Sequence, residues 1–208
     1  MDEGKEVSER SRLLPTEQLQ EDLLNILDGY LPADLRADKG KGKRILSLGC
    51  GMAIEAEPLI HLMPEAYYEG IDESEVGLGG ARALSPSLPA ERFRVADATQ
   101  SESFGLEPWN LIIIRNPDVD VLHRRSGSNW EQIFRNCYQH LSGEGYLLVT
   151  THKGAEMRVV REYIETHLKG FKVTVPQQKI QDLMRSGFPM SETDLIMYQK
   201  KSEAVSQQ

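Results

Sequence analysis

The stretch that decides the fold of this chain is Arg44-Ile45-Leu46-Ser47-Leu48-Gly49-Cys50-Gly51. An apolar strand runs directly into two glycines spaced i, i+2, and the residues from Ile54 onward have the pattern of a helix. Glycine is needed at such a crossing because only a residue without Cβ lets the backbone turn sharply and come close to a ligand. The stretch therefore predicts a strand, a ligand-binding turn and a helix in succession.

Short apolar runs and helical patterns alternate along the rest of the chain. Strands are predicted at residues 45–48, 67–71, 93–96, 111–115, 146–151, 171–175 and 195–198. Helices are predicted at about 54–63, 75–84, 129–141 and 155–168. The run Leu111-Ile112-Ile113-Ile114 is apolar on both faces, which is typical of a parallel strand covered by helices on both sides. The alternation predicts a three-layer α/β fold with a doubly wound, Rossmann-like sheet of seven strands.

The 208 residues fit a single domain with a substantial core. Apolar residues recur at steps of three and four from Thr16 onward, so residues 16–43 are predicted to hold an N-terminal helix and a loop. Residues 1–15 and 201–208 are polar, charged and aperiodic, and we predict that they are flexible tails. The single domain is thus predicted at residues 16–200.

Charge and composition narrow the class of protein. Lys and Arg total 24 against 32 Asp and Glu, a net charge of −8, which disfavours nucleic acid as a partner. No apolar run approaches the ~20 residues that span a bilayer, and the charged N-terminus lacks the apolar core of a secretory signal. Cys50 and Cys137 are far apart and lack metal-ligand spacing, so both are predicted to be free and no metal site is predicted. We expect a cytoplasmic protein without a membrane partner.

Polar or small residues follow each of the first four predicted strands. In order, they are Gly49 and Gly51, Asp72 and Glu73, Asp97 and Ala98, and Asn116. Ligands of open α/β sheets bind at the carboxyl ends of the strands, so these residues are expected to meet at one edge. An acidic residue about twenty positions after the glycine turn is the expected partner of ribose hydroxyls, and Asp72 fits that role. The alternative for Asp72 and Asp97 is a helix N-cap or a turn residue.

The glycine turn distinguishes between nucleotide cofactors. A nicotinamide-binding fingerprint has a third glycine, but Ile54 stands at that position. A P-loop would continue with Gly-Lys-Ser/Thr, which does not follow the turn here. S-adenosylmethionine has no phosphate, so a shorter glycine turn suffices for it. The sequence fits that ligand best.

The strand, the Gly49-Cys50-Gly51 turn, Asp72 and Asp97 together resemble the class I S-adenosylmethionine-dependent methyltransferases. The resemblance covers roughly residues 44–200 and implies an antiparallel last strand inserted at one edge of the sheet. It also implies that S-adenosylmethionine is the cofactor, S-adenosylhomocysteine the product, and residues 16–43 a lid over the cofactor. The cofactor-binding residues that it implies are Gly49, Cys50, Gly51, Asp72, Glu73, Asp97, Ala98 and Asn116.

Two residues depart from the pattern of that family. Its members usually carry an acidic residue two positions before the first glycine, where this chain has Ser47. A third small residue normally follows at i+4, and Ala53 keeps that position small without being glycine. Ser47 offers no negative charge toward the cofactor's amino group. Glu55 or Glu57 on the following helix is the candidate to compensate.

The methyl acceptor is less well defined than the donor. Acceptor groups of this family usually follow the fourth strand, which makes Asp118 and His123 the candidate catalytic residues, with His152 behind them. A histidine can take a proton there because its pKa lies near neutrality. Asn116-Pro117-Asp118 followed by His123-Arg124-Arg125 loosely resembles the transfer-RNA 7-methylguanosine enzymes, but the tryptophan of their motif is absent.

We therefore predict methyl transfer to an oxygen, nitrogen or carbon of a small molecule. One alternative is a non-catalytic binding protein with the methyltransferase fold. The other is a transfer-RNA guanine methyltransferase, which would need a basic surface around Arg124, Arg125, Arg158 and Arg161. The sequence predicts neither the acceptor nor the oligomeric state.

Three glycines in Glu75-Val76-Gly77-Leu78-Gly79-Gly80 stand where the second helix after the turn should begin. Each weakens a helix by on the order of 1 kcal/mol relative to alanine. Either the helix begins later, or another group approaches the backbone of this segment closely.

Overall fold

The computed structural model describes residues 15–117, 119, 129–152, 154–179 and 194–202. The predicted tails, 1–15 and 201–208, lie outside these residues except for Pro15, Lys201 and Ser202. The helices are α1 (Pro15–Tyr30), α2 (Ala33–Arg36), α3 (Ala56–Leu62), α4 (Glu75–Leu84), α5 (Asn129–His140) and α6 (Gly154–His167). The strands are β1 (Arg44–Leu48), β2 (Tyr67–Asp72), β3 (Phe93–Val95), β4 (Trp109–Arg115), β5 (Leu141–Thr151), β6 (Phe171–Lys179) and β7 (Asp194–Lys200).

The strands form one sheet in the order β3-β2-β1-β4-β5-β7-β6. Strands β1 to β5 pair in parallel, whereas β7 is antiparallel to both of its neighbours, β5 and β6. The last strand is therefore inserted one position in from the edge of the sheet. This topology confirms the predicted seven-stranded, doubly wound fold with an antiparallel last strand.

Helices cover both faces of the sheet. Leu111 and Ile113 of β4 belong to a core shared with α1, α3 and α4, whereas Ile112 and Ile114 belong to a second core shared with α5 and α6. Because alternate residues of a strand point to opposite faces, a strand buried on both sides is usually apolar on both faces. This burial explains the unbroken apolar run that predicted a central strand.

Helix α1 belongs to the packed body of the domain. Leu19, Leu23, Ile26 and Leu27 are buried in the first core, and the helix packs against α3. The apolar stripe predicted from residue 16 onward is thus the face that α1 buries. The role of residues 16–43 as a cofactor lid stays a prediction.

Two kinds of feature are absent from the described residues. No helix there is both long enough and apolar enough to cross a membrane. No cluster of three or more His, Cys, Asp or Glu side chains there is arranged to hold a metal ion. Cys50 and Cys137 are both free and buried.

Candidate functional site

The turn after β1 has a left-handed backbone. Gly49 and Gly51 have φ angles of 57° and 50°, and Ala53 has a φ angle of 45°. A Cβ added to either glycine would meet no protein atom within 4 Å, so the backbone angle, not crowding, requires glycine there. The Ala53 N–H donates to the Cys50 carbonyl at 2.7 Å and closes the turn.

The start of α4 lies against this turn. A Cβ on Gly77 would stand 3.1 Å from the Gly51 Cα, and one on Gly80 would stand 3.1 Å from the Met52 Cγ. The helix begins at Glu75, where the Ser74 hydroxyl accepts a hydrogen bond from the Gly77 N–H at 3.2 Å. The helix therefore does not begin later: the Gly51 backbone lies close to Gly77, and the Met52 side chain lies close to Gly80.

Asp72, at the end of β2, holds two backbone segments. Its Oδ2 accepts a hydrogen bond from the Gly51 N–H at 2.8 Å, and its Oδ1 accepts one from the Ser74 N–H at 2.7 Å. A carboxylate oxygen can accept more than one hydrogen bond, so both oxygens retain capacity for a ligand. Asp72 is thus a turn residue and a candidate ligand-binding residue at once.

A cavity of about 290 Å³ opens beside Asp72 at the carboxyl edge of the sheet. It is lined by Leu48, Gly49, Asp72, Glu73, Ala96, Ala98, Asn129, Trp130 and Ile133. Four of the predicted cofactor-binding residues therefore line one cavity. The sequence predicted a helix over residues 129–141 but did not assign Trp130 or Ile133 to the cofactor site. Their position at the start of the helix after β4 is the signal that would have placed them at this edge.

A second cavity, of about 200 Å³, lies between α5 and α6. It shares Trp130 with the first cavity, but no residue of the glycine turn and neither Asp72 nor Glu73 lines it. We place the candidate site in the first cavity because it combines the glycine turn with two carboxylates.

The other four predicted cofactor-binding residues do not line the first cavity; they are Cys50, Gly51, Asp97 and Asn116. Cys50 is buried, which raises the pKa of its thiol, and the charges of Glu55 and Asp72 raise it further. The Asp97 carboxylate accepts a hydrogen bond from the Thr99 N–H at 2.8 Å, and the hydroxyl and N–H of Thr99 lower its pKa. Asp97 is therefore a turn residue in this structure.

Asn116 connects the ends of two strands. It has a positive φ of 51°, and its N–H donates to the Thr150 carbonyl at 2.8 Å. The bond fixes the carboxyl end of β4 against that of β5. Asn116 is not among the residues that line the cavity.

The structure distinguishes the two glutamates that were candidates to compensate for Ser47. The Ser47 hydroxyl donates to Glu55 Oε1 at 2.5 Å. Glu57 instead accepts hydrogen bonds from the N–H and hydroxyl of Ser87, at 2.9 and 2.8 Å. Glu55 is therefore the carboxylate that lies beside Ser47.

Comparisons with known proteins place these features in a family of folds. No protein-family model matches the chain. The malonyl-acyl-carrier-protein O-methyltransferase of Bacillus cytotoxicus is 30% identical over 142 residues, which cover 64% of this chain and 47% of that protein. The chain thus spans about half the length of the curated relatives that it matches.

Two solved structures show the fold. The TehB-like SAM-dependent methyltransferase from Corynebacterium glutamicum has a TM-score of 0.58 at 18% identity, covering 86% of this chain and 87% of that one. Magnesium protoporphyrin IX methyltransferase from Synechocystis, solved with bound SAM, has a TM-score of 0.58 at 16% identity, covering 88% and 80%. The chain has the class I methyltransferase fold.

The candidate catalytic residues of this methyltransferase fold, Asp118 and His123, lie outside the described residues. His152 directly follows β5 and is half-buried. Arg158 is exposed, and Arg161 is paired with Glu165 at 3.1 Å.

Proposed function

We propose that this chain is an S-adenosylmethionine-dependent methyltransferase that acts on a small-molecule acceptor. The observation that carries the proposal is the cavity at the carboxyl edge of the sheet, where the Gly49 turn and the carboxylates of Asp72 and Glu73 meet. Ligands of doubly wound folds bind at this edge. When bound, the cofactor supplies a methyl group that is already activated by the sulfonium.

The residues of the cavity fit this cofactor. Asp72 and Glu73 would accept hydrogen bonds from the ribose hydroxyls, and the alanines and Ile133 form an apolar wall suited to a purine. The left-handed backbone at Gly49 and Gly51 leaves open space beside both Cα atoms, so a ligand can approach it closely. The chain's task is then to align the acceptor, exclude water and remove a proton where the acceptor carries one.

Charge supports a small acceptor over RNA. The chain carries a net charge of −8, and Arg161 is engaged with Glu165 at 3.1 Å. The named relatives methylate an oxygen, which makes a carboxylic acid the first acceptor to test. We keep Asp118 and His123 as the proposed proton acceptors. A cytoplasmic location is also proposed, since both cysteines are free.

A methyl-transfer assay tests the proposal. Purified chain and S-adenosylmethionine with a radiolabelled methyl group are incubated with a malonyl thioester, a phenol, an amine or transfer RNA. We expect label in one small-molecule class and none in RNA. Gly51→Val is the control, because a β-branched residue at a φ of 50° is strained and should abolish transfer. Label in RNA alone would contradict the proposed acceptor, and cofactor binding without any transfer would favour the non-catalytic alternative.

A further inference from the structure

A buried carboxylate lies beneath the glycine turn. The Glu55 side chain follows the turn, precedes α3 and is 1% exposed. Its Oε1 accepts hydrogen bonds from the hydroxyls of Ser47 at 2.5 Å and Tyr68 at 3.2 Å, and its Oε2 pairs with the Arg115 guanidinium at 2.7 Å. A carboxylate removed from water is tolerated only when it is paired and hydrogen-bonded in this way.

The three partners come from three adjacent strands. Ser47 is in β1, Tyr68 in β2 and Arg115 at the end of β4, and these strands lie side by side in the sheet. Burial raises the pKa of Tyr68, and the negative charge of Glu55 raises it further. The carboxylate thus ties the residue that immediately precedes α3 to the strands that carry the candidate site.

The turn itself needs such support. Three of its residues have positive φ angles, and one of them, Ala53, is not a glycine and is fully buried. Backbone in this region persists only where the surrounding structure determines it. Asp72 holds the turn from one side through the Gly51 N–H, and Glu55 holds the segment just after Ala53.

We propose that Glu55 is the positioning residue of the cofactor turn, acting through Ser47, Tyr68 and Arg115. It supplies, from a position 8 residues after Ser47, the carboxylate that β1 lacks. The glycine turn is thereby pre-shaped before the cofactor binds, so less free energy is spent on ordering it. This inference rests on the proposed function, because the turn is taken to contact S-adenosylmethionine.

The test compares four variants by calorimetric titration with S-adenosylhomocysteine. Glu55→Gln removes the charge at nearly constant volume and is expected to weaken affinity at least about tenfold. Ser47→Ala removes one hydrogen bond and is expected to weaken affinity by about threefold. Glu57→Gln is the matched control, because this glutamate bonds only to Ser87 among the described contacts, and its affinity should equal that of the wild type.

The fourth variant, Ser47→Asp combined with Glu55→Gln, moves the carboxylate back into β1. We expect it to recover most of the lost affinity, which a purely structural role of Glu55 would not produce. Circular dichroism checks that each variant is folded at the titration temperature. If Glu55→Gln does not fold, Ser47→Ala still decides the question, and the affinity of the double variant is compared with that of the wild type.

Each outcome has a distinct meaning. Equal affinities for wild type, Ser47→Ala and Glu55→Gln would overturn the positioning role while leaving the proposed function intact. A double variant that folds but binds no better than Glu55→Gln would also overturn it. Absence of binding by the wild type at millimolar ligand would instead overturn the proposed function.

Discussion

At the scale of single residues, Asp72 joins the fold to the candidate site. One of its oxygens holds the Gly51 N–H of the turn, the other holds the Ser74 N–H at the start of α4, and the side chain lines the cavity. The orientation of the carboxylate toward the cavity is therefore fixed before any ligand binds. Such preorganisation lowers the entropy lost on binding.

Replacing Asp72 by asparagine keeps a polar side chain of the same size but removes its charge and one of its two acceptor oxygens. An amide has one acceptor oxygen, so Asp72→Asn leaves one of the two backbone N–H groups without its partner. We expect the free energy of unfolding to fall by about 1 kcal/mol and affinity for S-adenosylhomocysteine to fall at least about tenfold. Urea unfolding and calorimetry measure the two effects. Asp28→Asn, at an exposed aspartate paired with Arg36, should leave the affinity unchanged.

At the scale of elements, α4 and the glycine turn are packed as one unit. The contact between Gly77 and Gly51 brings two backbones together, and a Cβ on Gly77 would crowd it at 3.1 Å from the Gly51 Cα. Gly79, on the same helix, has no neighbour within 4 Å of its added Cβ. Gly77 and Gly79 can therefore be compared by making the same substitution at each.

Alanine at these positions should have opposite effects. Gly79→Ala is expected to raise the free energy of unfolding by about 0.5 to 1 kcal/mol, because alanine loses less backbone entropy in a helix. Gly77→Ala gains the same propensity but pushes α4 away from the turn, so we expect no gain in stability and weaker cofactor affinity. Thermal unfolding and titration of both variants check this. Equal behaviour of the two alanines would show that the contact has no effect on the site.

His140, at the end of α5, should make the free energy of unfolding depend on pH. The Nε2 of His140 lies 2.7 Å from the Ser101 hydroxyl, and its ring stacks on Phe104. Burial lowers the pKa of His140, and the positive charge of Lys200 lowers it further. Because the folded chain then binds a proton less readily than the unfolded chain, the free energy of unfolding should fall as the pH drops below about 6.5.

Urea unfolding at pH 7.5 and 5.5 measures this loss. His140→Gln should make the loss smaller, since glutamine does not titrate in this range. His61→Gln changes an exposed histidine of α3 and should leave the loss as it is in the wild type. A loss that is the same in all three proteins would assign the pH dependence to other groups.

At the scale of the whole molecule, local patterns predicted the elements well. The order of elements and the fold class followed from features of short segments. These features are the apolar patterns of β4 and α5 and the glycines of the turn. The place of Trp130 and Ile133 in the cavity lining did not follow, because a helix face that packs on the core and one that lines a cavity have the same composition.

Contacts between segments that are far apart in the chain also could not be predicted from the sequence. Glu55 and Arg115 are 60 residues apart and meet only because β1 and β4 are neighbours in the sheet. The sequence proposed Glu55 and Glu57 equally, and geometry alone separates them. An aspartate that caps a turn and one that contacts a base also occupy the same place in the pattern, and for Asp97 the structure shows the turn contact while its role at the cofactor stays a prediction.

The claim on which the others depend is that the cavity beside Asp72 holds S-adenosylmethionine. Calorimetric titration of the chain with S-adenosylmethionine, S-adenosylhomocysteine and NAD⁺ under one set of conditions tests it most directly. We predict saturable binding of the first two ligands at one site per chain and no binding of NAD⁺, since Ile54 replaces the third glycine of a dinucleotide site. Binding of NAD⁺, or no binding of either methyl-donor ligand at millimolar concentration, would contradict the claim.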